Sequence, residues 1–211
     1  MMLHFNFDPF PVLTSPRLML REVYDSDIPE VFFLRSDEEV MKYTGKSPAK
    51  NYDEILTYIQ NQRTARARKK SILWAITLKG DSAVIGLIGY RQFTKEHFRG
   101  EVGYGLYPSM QGKGIMQEAL TAVLDYGFHT IGLHSVEANV DKENIASIRL
   151  LERNNFTREA HFKENYFFNG RFIDSVIYSL LAPTKTEHAE SQLHPLSHSH
   201  HRQVGTATVH K

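Results

Sequence analysis

The sequence predicts one mixed α/β domain built on a central, mostly antiparallel twisted sheet flanked by helices. Three observations carry this. The body, about Ser15–Ala182, alternates β-rich and helical segments in the order β-α-α-β-β-β-α-β-α-β-β. Strands that follow one another without a helix between them imply antiparallel neighbours, which argues against a doubly wound sheet. The 211 residues are 41% hydrophobic and 23% charged, enough for one ordinary core or at most two very small ones.

Each element has its own signal. Arg17–Arg21 alternates as a half-buried strand does. Asp25, Ser26 and Asp27 supply N-cap candidates before Pro29, which falls in the first turn of a helix running to about Arg35. Asn51 and Glu54 have capping-box spacing ahead of the stripe Tyr52, Ile55, Leu56 and Ile59. Ile72–Lys79 and Ala83–Arg91 are β-rich, with a hairpin turn at Lys79–Ser82. Glu101–Tyr107 is a further strand. Gln117–His129 is helical, with Ala119, Leu120, Val123, Leu124 and Phe128 on one face. His134–Val140 is a strand, Ala146–Arg153 a helix, and strands at about Thr157–Phe162 and Phe172–Leu181 close the body.

Composition removes several function classes. With 25 Lys+Arg against 24 Asp+Glu, the formal charge of +1 shows no overall basic excess for coating nucleic acid, so no DNA partner is expected. No apolar run reaches the roughly 18–20 residues of a spanning helix, and Met1–Phe10 has no secretory pattern. There is no cysteine, which removes disulfides, zinc–thiolate sites and thiol nucleophiles and fits a reducing, cytoplasmic setting. The domain is expected over 15–183. A flexible tail is expected over 184–211, holding six of the eleven histidines: His188, His194, His198, His200, His201 and His210. Without a scaffold and supporting partners these read as a solvated tail rather than a metal site. His97, His129, His134 and His161 lack metal spacing, and no metal is expected.

One segment carries specific chemistry. Pro108–Met116 (Pro-Ser-Met-Gln-Gly-Lys-Gly-Ile-Met) lies between a strand and a helix. Glycines let such a chain turn tightly, and the first amides of the helix face outward with the positive end of the dipole behind them, an anion site suited to phosphate. A Walker A loop fails at Tyr107 and Gly114, and the dinucleotide fingerprint fails at Gln117.

The segment resembles the pyrophosphate loop of the GCN5-related N-acetyltransferases (GNAT), Gln/Arg-x-x-Gly-x-Gly/Ala, with Gln111, Gly114 and Met116 at the three marked positions. Met116 departs from the small residue usual there. Thr14–Glu22, Glu101–Pro108, Asn144–Phe156 and Gly170–Leu181 occur in the order of the RimJ/RimL branch, which acetylates ribosomal-protein N-termini and related amines. The resemblance covers about Pro16 to Ala182. Asn155 stands where glycine is usual, and it too tolerates a left-handed helix cap. Gly105 replaces an often bulky aromatic residue, which implies a larger acceptor side.

The resemblance implies the acyl-CoA N-acyltransferase fold and transfer of acetyl from acetyl-CoA to a primary amine, either a protein N-terminus or a small molecule. It implies cofactor contacts from Leu106, Tyr107, Gln111, Gly112, Lys113, Gly114, Ile115, Met116 and Asn144. Such chemistry needs a neutral amine, a polarised carbonyl and a provision for the leaving thiolate. Glu101 is the candidate base, acting through water; the alternative is an ordinary strand-end glutamate. Ser147 is the candidate thiolate donor; the alternative is a serine capping helix backbone. Asn144 either binds the pantetheine arm or serves as an N-cap. Tyr104 and Tyr166 are further candidates, against the commoner role of tyrosines that pack by their rings.

The basic run Arg63, Arg66, Arg68, Lys69 and Lys70 reads as a solvated helix end rather than an RNA patch. A non-catalytic acyl-CoA sensor on the same fold is the remaining alternative. Either a monomer or a homodimer is compatible with the sequence.

Overall fold

The structure is a computed structural model and describes residues 2–183; the tail expected over 184–211 lies outside the described residues. Eight strands form one sheet: β1 (Leu13–Thr14), β2 (Leu18–Arg21), β3 (Ile72–Leu78), β4 (Gly86–Thr94), β5 (Arg99–Leu106), β6 (Ser135–Asp141), β7 (Thr157–Phe168) and β8 (Arg171–Leu181). Their spatial order is β1-β2-β3-β4-β5-β6-β8-β7. Every neighbouring pair is antiparallel except β5–β6. The expected mixed, mostly antiparallel sheet is therefore what forms.

Helices cover both faces of the sheet, and the strands inside it are accordingly apolar on both sides. Within β3, Ile72, Trp74 and Ile76 point into one cluster with α4 (Ile115–Asp125) and α5 (Ile145–Arg153). Ala75 points the other way, with Leu73, toward Val31 and Leu34 of α1 (Ile28–Ser36) and Ile55 and Ile59 of α3 (Tyr52–Ala67). The face expected for α4 is buried at Ala119, Leu120, Val123 and Leu124.

Several boundaries differ from the sequence reading for identifiable reasons. A short α2 (Glu38–Met41) follows α1, capped by Asp37, whose carboxylate accepts the Val40 amide at 2.9 Å. Helix α4 begins at Ile115 and gives way to a π turn over Tyr126–Ile131, where the Gly132 amide bonds the Gly127 carbonyl at 3.1 Å. Asp27 does not cap α1. Its buried carboxylate forms a two-pronged pair with Arg21 at 2.8 and 2.9 Å and also accepts the Tyr24 amide. Asn51 does cap α3, accepting the Glu54 amide at 3.0 Å, while the Glu54 carboxylate reaches the Lys50 amide rather than that of Asn51. Asn155 adopts φ +61, the left-handed geometry expected of it. Strands β7 and β8 run past the core as a long hairpin; most of β7 is exposed, so burial left no alternation to read.

Behind the sheet, the Tyr90 hydroxyl is fully buried and donates to the Val123 carbonyl at 2.9 Å. A Cβ added at Gly127 would lie 1.9 Å from that hydroxyl oxygen. Gly127→Ala is therefore expected to lose about 1–3 kcal/mol of stability in urea unfolding, the usual cost of overpacking. Combined with Tyr90→Phe, which removes the atom struck, the two losses should total less than their sum.

Candidate active site

The parallel pair β5–β6 is bonded only over Arg99–Glu101 against Ser135–Glu137. Beyond that, β5 stays with β4 as far as Leu106, and β6 stays with β8 as far as Asp141. The two strands thus part immediately after Glu101, and their facing backbone groups lose their ladder partners. A cavity of about 530 Å³ opens into this gap, lined among others by Glu101, Tyr104, Gly105, Asn144 and Ser147.

Of Leu106 and Tyr107, both expected to contact the cofactor, Tyr107 has its backbone engaged elsewhere. Tyr107 gives its amide to the Ile85 carbonyl (3.0 Å) and accepts the Met110 amide (2.9 Å). Strand alternation turns the Leu106 polar groups the other way, where its carbonyl takes the Gln111 side-chain amide at 3.4 Å. The Tyr107 hydroxyl donates to the Glu30 carbonyl at 2.8 Å, so its ring braces α1.

The loop that follows supplies outward-facing amides. Gly112 and Gly114 both take φ +72, the left-handed region that favours glycine, and a Cβ at Gly112 would meet nothing within 4 Å. Ile115 buries its side chain in the core, so only its backbone faces the loop, and Met116 packs against the same core. The first helical bond closes from the Glu118 amide to the Gly114 carbonyl (3.1 Å), which leaves the preceding amides facing outward. Lys113 is exposed, and its carbonyl accepts from Arg17 at 3.0 Å.

That last contact belongs to a brace that sequence reasoning missed. Glu118 accepts from the Ser15 hydroxyl (2.6 Å), the Arg17 amide (2.8 Å) and the Arg17 guanidinium (2.7 Å). These hydrogen bonds outweigh desolvation and hold its carboxyl below the usual range. The signal was present in the Thr14–Glu22 segment, but nothing local connects it to a residue about a hundred positions later. A second missed link is Gln117 with Asn154, which exchange hydrogen bonds at 2.7 and 3.0 Å and join α4 to α5.

Inside the cavity, the Tyr104 and Ser147 hydroxyl oxygens are 2.6 Å apart. Ser147 therefore spends its hydroxyl on the phenol rather than on helix backbone. Asn144 is the N-cap of α5, its side-chain oxygen accepting the Ser147 amide at 3.1 Å, and it also lines the cavity. Glu101 lies 3.5 Å from Arg91. Tyr166 sits away from this group on the hairpin, donating to the Gly45 carbonyl at 2.7 Å.

Two members of the basic run are paired, Arg63 with Asp25 at 2.8 Å and Arg66 with Glu22 at 2.6 Å, while Arg68, Lys69 and Lys70 are exposed. His161 pairs with Asp174 at 2.7 Å. Among the described residues, no group of three or more His, Asp or Glu could hold a metal, and no helix is long and apolar enough to cross a membrane.

Comparison with known proteins agrees with this geometry. The family model described as an acetyltransferase (GNAT) domain matches residues 17–157. YoaA of Bacillus subtilis, named as an uncharacterized N-acetyltransferase, is 32% identical over 174 residues, covering 82% of this chain and 98% of YoaA. A spermidine N(1)-acetyltransferase of Vibrio cholerae is 26% identical over 160 residues, 76% of this chain and 90% of that protein. Among solved structures, RimL, a ribosomal L7/L12 alpha-N-protein acetyltransferase in complex with coenzyme A, superposes with a TM-score of 0.75 at 21% identity, covering 81% of this chain and 98% of that one. The chain belongs to the GNAT family, with RimJ/RimL-like relatives, and is an N-acetyltransferase.

Burial pushes Tyr104 up to about 12, with the Ser147 hydrogen bond pulling slightly back. The fold therefore favours the neutral phenol. That stabilisation is complete below the ordinary tyrosine value near 10 and is lost as pH rises toward 12. A phenol held this far above its ordinary value contributes about 2–3 kcal/mol. Unfolding by denaturant between pH 9 and 11.5 should show stability falling across this window, and Tyr104→Phe should remove its share of the decline.

Proposed function

We propose that this protein moves an acetyl group from acetyl-CoA to a primary amine by direct attack, the acceptor being a protein N-terminus or a small molecule. The observation that carries the proposal is the junction of two features. The gap between β5 and β6 adjoins the outward amides before α4, so one extended molecule can lay its arm in the gap and its pyrophosphate on the loop. Gln111 through Met116 cradle the pyrophosphate, Leu106 offers its backbone to the arm, and Asn144 adds a side-chain amide.

In this reaction the neutral amine attacks the thioester carbonyl, the carbon–sulfur bond breaks, and the amine's surplus proton passes through water to Glu101. The departing sulfur meets the Tyr104–Ser147 pair. With Tyr104 near 12 and a thiol ordinarily near 8.5, the pair stabilises the thiolate by hydrogen bonding rather than by giving up its proton outright. No covalent enzyme intermediate is needed, in keeping with a chain that has no cysteine.

Two variants test this. At Gly114, a side chain meets positive φ and, in Gly114→Asp, adds a negative charge beside the phosphates. Losing two or three charge-assisted hydrogen bonds at about 1.5–3 kcal/mol each weakens CoA binding at least a hundredfold in isothermal titration. Near-normal affinity in a folded Gly114→Asp protein would remove the loop from the site. Glu101→Gln should keep CoA affinity while turnover falls by about a hundredfold, the usual size of a lost general base. Unchanged turnover would assign the proton transfer elsewhere.

A further inference from the structure

The acceptor side of the cavity holds more positive charge than a general base requires. Arg35 from the end of α1, Lys46 from the segment after α2, and Arg91 from β4 all line it, together with Glu101. Arg91 shares Glu101 at 3.5 Å. Among the described residues, neither Arg35 nor Lys46 has a carboxylate within ion-pair distance. The remaining acid in the lining, Asp141 at the end of β6, accepts the Glu143 amide on a carboxylate oxygen at 2.8 Å.

Arg35 and the backbone around Lys46 are held by neutral neighbours, whereas Arg91 also has Glu101 beside it. The Arg35 guanidinium lies 4.0 Å from the centre of the Tyr58 ring, a cation–π contact that fixes the charge without neutralising it. The Lys46 segment is tied down on both sides: the Ala49 amide donates to the Arg35 carbonyl at 2.8 Å, and the Tyr166 hydroxyl donates to the Gly45 carbonyl at 2.7 Å. Arg91 lies across Gly103, where an added Cβ would be 2.3 Å from its Cδ, so any side chain there would displace it. The Lys46 ammonium, on a residue that stays exposed, is held below its ordinary value by partial desolvation first, with Arg91 and Arg35 adding repulsion and Glu101 opposing it. Charges crowded in this way gain from an incoming anion and repel a second cation.

We infer that the acceptor carries an anionic group, a carboxylate or a phosphate, close to its reacting amine, and that Arg35, Lys46 and Arg91 bind this group while Glu101 serves the amine. This rests on the acetyl-transfer reading above and narrows its acceptor class. It also sets this site apart from one built for a polyamine, whose several positive charges would meet two cations lacking a carboxylate partner.

Titration of phosphoethanolamine and of ethanolamine into the full-length, CoA-saturated protein tests the inference directly, with turnover of the same pair, of glutamate against its diamide, and of spermidine measured by CoA release. Phosphoethanolamine is expected to bind at least tenfold more tightly than ethanolamine, about 1.4 kcal/mol. The anionic member of each pair should be the better acceptor by kcat/KM, and spermidine the poorest. Lys46→Gln and Arg35→Gln should each lower the phosphoethanolamine-to-ethanolamine binding ratio about tenfold, with CoA affinity and melting temperature showing that the fold is intact. Equal binding of the two amines by a protein that binds CoA, or a preference that both variants leave in place, overturns this inference alone. A protein that does not bind CoA overturns the acetyl-transfer reading and this inference with it.

Discussion

The separation of β5 from β6 is the constraint on which the rest of the structure depends. Three residues on each strand pair, and then each strand continues bonded to its outer neighbour only. Unpaired backbone groups are costly unless water or a ligand meets them, so a sheet that splits at its centre commits itself to a polar occupant. The split is tolerated because β4 and β8 keep the outer edges of the two strands satisfied. Glu101 is the last residue of β5 to pair with β6, which sets it at the base of the cleft.

The loop before α4 works only because distant residues hold it. Its glycines allow the turn, but its position is fixed by Arg17, which reaches the Lys113 carbonyl and at the same time pairs with Glu118 in the first turn of α4. Strand β2 and helix α4 are thereby tied at the loop, while Gln117 and Asn154 tie α4 to α5. The cap of α5 then presents Ser147 to Tyr104. Hydrogen bonds between elements far apart in sequence thus position the loop before α4, α4 against α5, and α5 against Tyr104.

Charge in the cavity is organised by a different set of neighbours. Arg35 is held by an aromatic ring, Arg91 by the space a glycine leaves, and the Lys46 segment by two backbone carbonyls. Among the described residues, Arg35 and Lys46 are thereby left without a carboxylate partner, while Arg91 shares Glu101. The surplus positive charge is therefore a property of tertiary placement, invisible in a chain whose charges sum to +1.

Local periodicity and turn chemistry were enough to foresee the alternation of strands and helices, the apolar face of α4 and the cap at Asn51, because each depends on residues within a few positions, while the left-handed Asn155 followed from the family resemblance. The anion loop was legible for the same reason: its glycines and the helix after them are contiguous. Where sequence reading failed, a competing partner had taken the residue. Tyr107 turned its amide to Ile85 beside β4, whereas Asp27 was taken by near neighbours, Arg21 and the Tyr24 amide, whose competition with the helix cap spacing alone does not show. The exposed hairpin of β7 gave no burial pattern to read. By itself the sequence determined the order of elements and the glycine turn that leads into α4, since both are written in short-range spacing. Only the tertiary structure decided where the sheet opens, that Ser147 meets Tyr104, and that three cations share one cavity, because each depends on contacts between residues dozens of positions apart.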